Sequence, residues 1–226
     1  LAGTVLAALV AATLSGCQTT TDPDDDTATS TADSSPTDFG APLEHAELCG
    51  MLGSDAGTQL ATEYGYDPGT PELSEPGSCA QYLIRLEGDV EKETITILST
   101  ADIWTATEDA EAAFLHWNDS DSNSYRLRLP FPESEEETDL RGEWDEAIMV
   151  ADREWDHGPQ FKIMARAGEV IVFYHVTLSV KGSTETCSSS LSTACVIPPE
   201  TVSSWVENDL LPQTLHNLED AGILGG

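Results

Sequence analysis

Arg126 and Arg128 stand two residues apart in "YRLRLPF" (125–131), which alternates as a strand does, so both guanidinium groups fall on one face. Two planar forks on one face could close around an anionic ligand group. Pairing with nearby carboxylates on a sheet surface is the plainer account. Acids offer a second chemistry. Asp119, Asp121 and Asn123 hold positions 1, 3 and 5 of a calcium loop. The sixth position is Ser124 rather than Gly and the twelfth is Pro130 rather than Glu, so the pattern fails at the turn and at the bidentate ligand. Glu133, Glu135, Glu136, Glu137 and Asp139 could hold a cation or supply a glycosidase pair. With 41 acids in the chain, composition alone makes such clusters, and a solvated charge run is expected.

The histidines, His45, His116, His157, His175 and His216, are scattered over separate segments. Asp156 and His157 in "EWDHGPQF" could serve a nucleophile, but no serine is singled out. His175 lies in an apolar strand, where hydrogen-bonded packing is the usual role, and His116 and His216 fall on helices beside apolar neighbours. Trp104, Trp117, Trp144, Trp155 and Trp205 could line a pocket, though core packing explains them more simply. GxSxG, HExxH, P-loop, GxGxxG and CxxC signatures are all missing. No catalytic residue, cofactor or metal site is therefore assigned.

The elements that would position these groups follow from periodicity. "LEHAELCGML" (43–52) reads as a short helix, with a second one capped by Ser54, running through Thr62 and weakened by Gly57. Residues 63–78 read as a Gly/Pro loop. "CAQYLIRLE" (79–87) and "KETITILSTA" (92–101) read as strands. In "TATEDAEAAFLHW" (105–117), Thr105 and Glu108 suggest a capping box opening a helix. "YRLRLPF" is a further strand, and "SEEETD" (134–139) an acidic loop. "EAIMVAD" (146–152), "QFKIMARA" (160–167) and "EVIVFYHVTLSV" (169–180) are three more strands, the last two joined at Gly168 as a hairpin. After Pro198 and Pro199, the residues Val202, Trp205, Val206, Leu210, Leu211, Leu215 and Leu218 make one helical apolar face, which Pro212 should kink or split. The order predicts an α+β domain, residues 42–226, with an antiparallel sheet of about five or six strands covered by helices and closed by a C-terminal amphipathic helix.

Ahead of that domain, "LAGTVLAALVAATL" (1–14) is an apolar run shorter than the roughly 20 residues a spanning helix needs, and has the length of a signal-peptide core. Leu rather than Met opens it and no basic segment precedes it, so a trimmed n-region or a non-standard start is expected. Leu14-Ser15-Gly16-Cys17 is similar to the lipobox of bacterial lipoproteins at all four positions. That resemblance implies a signal peptide over 1–16, lipid attached at Cys17, and a protein held by acyl chains at the outer face of the cell membrane. The alternative is an ordinary signal peptide with an incidental cysteine. Residues 17–41, rich in Thr, Ser, Asp and Pro, cannot bury enough surface to offset ordering entropy and read as a tether. Cysteine parity agrees. With Cys17 set aside, Cys49, Cys79, Cys187 and Cys195 remain, and an oxidising compartment would pair them. Three connectivities are open, of which the local pairs Cys49–Cys79 and Cys187–Cys195 are favoured.

The formal charge of −32, from 41 acids against 9 bases, repels phosphate backbones and anionic head groups. Nucleic acid is thus excluded as a partner, and so is a basic-patch route to the membrane. Salt adaptation, a lysine-poor secreted protein and divalent-cation binding all remain readings of this acidity.

The layout resembles a group of actinobacterial cell-envelope lipoproteins of unknown function, related in style to the sensor domains of receptor kinases. The lipobox, the tether, "ELCGML" with Cys49, "SCAQYL" with Cys79, the paired strands and the closing helix carry the resemblance. It implies an α+β domain with no established enzymatic activity and carries over no functional residue beyond the cysteines. The resulting expectation is a lipid-anchored, extracytoplasmic, monomeric binding or sensor-type lipoprotein. Its partner would be a small ligand or an envelope protein. An envelope-polymer hydrolase using a carboxylate pair and a structural envelope protein are the alternatives.

Overall fold

A computed structural model describes residues 41–45, 47–75, 77–115, 136–152, 158–180 and 197–225. All of them belong to one compact unit. Five long strands make its centre: β4 (Ser78–Glu87), β5 (Val90–Ile103), β7 (Glu146–Asp152), β8 (Gln160–Ala167) and β9 (Val170–Val180). Short strands finish the edges: β1 (Ala41–Pro42), β2 (Asp67–Pro68), β3 (Glu72–Glu75) and β6 (Glu136–Asp139). All nine join one antiparallel sheet in the order β2-β4-β5-β9-β8-β7-β6, with β1 on β5 and β3 on β4.

The five long strands are the ones the alternation predicts, within two residues at each end. The sheet is larger than the five or six strands expected, because its extra members are two- to four-residue strands in unpromising sequence. β2 and β3 lie in the Gly/Pro segment read as loop, and β6 in the acidic segment read as loop. Proline and charge are tolerated there because these strands are short edge pieces, where a missing donor or a solvated carboxylate costs little. β1 also takes Ala41 from the expected tether, pairing it with Ile103. The predicted strand at 125–131 lies outside the described residues.

Strand parity divides the sheet into two faces. On the inner face Leu83, Ile95, Ile97, Phe161, Ile163, Val172, Tyr174 and Val176 are buried against helices. These are α1 (Leu48–Met51), α2 (Ser54–Tyr64), α4 (Pro199–Trp205) and α5 (Leu211–Asp220). Every residue of the predicted C-terminal apolar face is buried, from Val202 to Leu218. Indole N–H groups pin the layer, Trp205 donating to the Ala56 carbonyl at 3.2 Å and Trp144 to the Leu211 carbonyl at 3.2 Å. A five-residue π-helical segment, Val206–Leu210, separates α4 from α5. Pro212 explains it: with no N–H to give, it cannot complete the α-helical bond to the carbonyl four residues back, and the turn ahead widens.

Two predicted caps differ. Ser54 is the first helical residue of α2 and Gly53 precedes it, with no side-chain cap. α3 (Thr107–Leu115) starts two residues beyond Thr105, whose hydroxyl turns to the Asp109 carboxylate at 3.5 Å instead of capping. α3 packs on the outer face, where Ala110 and Phe114 meet Ile148, Met164 and Ile171. The Cys49–Cys79 disulfide ties α1 to β4, as the local pairing predicts; Cys187 and Cys195 lie outside the described residues.

Candidate functional site

Residues directly opposite one another in an antiparallel sheet share a face, so register places side chains in rows. One row on the outer face runs Tyr82, Thr96, Thr177, Gln160, Asp152 across β4, β5, β9, β8 and β7. A second runs Leu98, His175, Lys162, Val150. The two ends of these rows differ in chemistry.

At the β7–β8–β9 end, Asp152, Gln160, Lys162 and His175 are all buried. The His175 Nε2 lies 3.0 Å from the Gln160 Oε1, and the Gln160 amide nitrogen donates to the Asp152 Oδ2 at 3.3 Å. The carboxylate fixes the amide's direction, since it can only accept. The amide oxygen then faces the imidazole, so His175 carries its proton on Nε2. Burial pushes the His175 pKa down to about 4, and the Lys162 charge across the strand pair adds to the effect. A neutral imidazole held from a carboxylate by an intervening amide is poorly placed as a general base. Asp152 does not touch the imidazolium it would have to stabilise. The cluster is a satisfied buried network, which is the packing role read for His175 from sequence.

Two further networks are structural. On the inner face the Tyr66 hydroxyl donates to the buried Glu93 carboxylate, and Arg85 Nη2 donates to its other oxygen at 2.6 Å. Burial and the adjacent carboxylate push the Tyr66 pKa up, and the bond to Glu93 raises that of Arg85. Arg166 Nε donates to Glu146 at 2.8 Å, and its Nη1 reaches Asp145 and the Gly168 carbonyl, closing the end of the β7–β8–β9 meander.

At the β4 end the chemistry is open to solvent. Five large hydrophobic side chains are exposed among the described residues, and Leu73, Tyr82, Leu86 and Val90 of these belong to β3, β4 and β5; the fifth is Leu115. Tyr82 and Leu86 are 43% and 52% exposed, with the partly exposed Ile84 between them. These three alternate along β4, so they form one stripe on the outer face. Carboxylates flank it in register. Asp67 lies opposite Ile84, Glu72 opposite Ala80 and Glu91 opposite Leu86. On the other flank stand Thr94 and Thr96, the Thr94 hydroxyl donating to Glu91 at 2.5 Å. Lys92 nearby is ion-paired with Glu87 at 3.2 Å.

Sequence reading placed β4 but missed this stripe. Its signal was present in "QYLIRLE", where both parities are apolar while a half-buried strand needs only one. Other predicted groups fare differently. Cys17, Arg126, Arg128, Asp119, Asp121, Asn123, Glu133, Glu135, Asp156, His157, His116, Trp117 and Trp155 lie outside the described residues. Glu137 and Asp139 sit on β6. The His45 Nδ1 accepts the Glu47 N–H at 3.1 Å. His216 faces solvent rather than apolar neighbours, 3.3 Å from Asp220 one turn on, because α5 turns Leu211, Leu215 and Leu218 inward. Among the described residues no group of three or more His, Cys, Asp or Glu is placed to hold a metal ion. No helix of the described residues is long and apolar enough to cross a membrane. No protein-family model matches the chain, and neither does any curated protein or solved structure.

Proposed function

We propose that the chain is a lipid-anchored, extracytoplasmic lipoprotein of the binding or sensor type, acting as a monomer that binds a partner rather than transforming one. The observation that carries the binding role is the stripe of exposed and partly exposed apolar side chains on the outer face of β4, Tyr82, Ile84 and Leu86. Apolar surface gathered on one strand face and rimmed by polar residues is what interaction sites expose, whereas scattered single hydrophobics need no explanation. The address rests on Leu14-Ser15-Gly16-Cys17, with two or three acyl chains giving stable attachment, and the Cys49–Cys79 disulfide suits an oxidising compartment. The acidity favours partners that are neither nucleic acid nor anionic lipid.

Melting temperatures of the full chain across calcium, magnesium, peptidoglycan fragments, sugars, fatty acids, lipids and basic peptides, at constant ionic strength, test this reading. A ligand at 100 times its dissociation constant adds about 2.7 kcal/mol, a shift of several degrees. The proposal expects a shift with one class that disappears in Tyr82→Ser/Leu86→Ser. A shift that survives both substitutions, or turnover of a glycan in the panel, would contradict it.

A further inference from the structure

The β4 stripe has a charge pattern as well as an apolar one. Tyr82, Ile84 and Leu86 span four residue steps, about 13 Å of extended chain. Asp67 and Glu72 lie along the outer flank and Glu91 at the hairpin end, all on the same face by register. Asp67 and Glu72 are exposed. The neighbouring base, Lys92, is already paired with Glu87. A short apolar centre with acids at its margins is complementary to a segment whose apolar side chains are flanked by cations. The −32 charge of the chain steers such a segment toward it and repels a second copy of the same chain.

From this complementarity we infer that β4 docks a basic segment of a partner protein: a few apolar side chains laid on Tyr82, Ile84 and Leu86, with lysine or arginine groups reaching Asp67 and Glu72. The inference rests on the binding reading above and adds the chemistry of the partner. Tyr82 serves as the anchor, since its ring offers both contact area and a face for a cation.

Fluorescence anisotropy with the full chain tests it, using three labelled peptides that share one short leucine-tyrosine core flanked by lysines, serines or glutamates. The lysine-flanked peptide should bind most tightly. Tyr82→Ser/Leu86→Ser should weaken it about tenfold or more. Asp67→Asn/Glu72→Gln should weaken it and flatten its salt dependence. Both pairs are partly or fully solvent-exposed, and an unchanged circular-dichroism melt confirms that they fold. Equal binding of the serine-flanked peptide overturns the basic-partner inference while leaving β4 as a docking surface. Equal binding of the lysine-flanked peptide to native chain and Tyr82→Ser/Leu86→Ser reduces the attraction to net charge and overturns it. If no peptide binds, the inference falls and the binding role of β4 falls with it.

Discussion

His175 shows how a residue that looks chemical from sequence is tied down by its neighbours. Its imidazole meets Gln160, and through it Asp152, with Lys162 across the strand pair. The folded state holds it neutral with a pKa of about 4, against about 6.5 in an unfolded chain. A depressed value stabilises the fold above the unfolded pKa, and that contribution is lost as pH falls from about 6.5 toward 4. Urea unfolding at pH 7.5 and 4.5 should therefore show native chain losing about 2–3 kcal/mol relative to His175→Gln over that interval. Parallel pH profiles for the two would show that His175 does not carry this cost. The packing role of His175 was legible from its apolar strand. Its partners were not, because they come from β7 and β8 and only register brings them together. The Tyr66–Glu93–Arg85 network was hidden for the same reason: its members are separated in sequence and meet only when β4 and β5 pair.

Elements with strong periodicity survived the step from sequence to fold, and those without it did not. β5 alternates buried Ile95 and Ile97 with half-exposed Thr94 and Thr96, a pattern any half-buried strand must write. β2, β3 and β6 write no such pattern, since two to four residues on an edge are held by their neighbour's backbone rather than by their own side chains. Gly57 was read as a weakness in α2. A side chain there would bring its Cβ within 2.2 Å of the Gln81 Oε1, so the buried Gln81 amide would have to shift to admit one. The Cys49–Cys79 bridge fastens the other helix of this pair. It closes a loop with a sequence separation of 30, for which the chain-entropy model gives about 3.5 kcal/mol. Cys49→Ala/Cys79→Ala should lower stability in urea by about 2–5 kcal/mol. A loss near zero would mean that the α1–α2 layer holds to β4 without it. The candidate surface itself was half legible: the strand was evident, but exposure depends on which helices cover which face, and no local pattern states that.

For the whole molecule, charge is the dominant physical fact. The chain carries 41 acids and 9 bases, and described bases such as Arg85, Lys92 and Arg166 are already engaged with carboxylates. Self-repulsion on that scale opposes compaction until salt screens it, and the Debye length shrinks from about 10 Å at 0.1 M to about 3 Å at 1 M. The melting temperature should rise by several degrees between these salt concentrations. An unchanged value would mean that the carboxylates are spaced widely enough not to matter. The same charge leaves the apolar stripe on β4 as an uncharged interruption in an acidic surface, and the account stands or falls on whether that interruption is covered in place. Hydroxyl-radical footprinting measures this directly, comparing side-chain oxidation of the chain in cells with that of the purified chain. The account predicts that Tyr82 and Leu86 are protected in cells while Leu115, which is more exposed than either, is oxidised to the same extent in both. Equal oxidation of all three in both settings would contradict it.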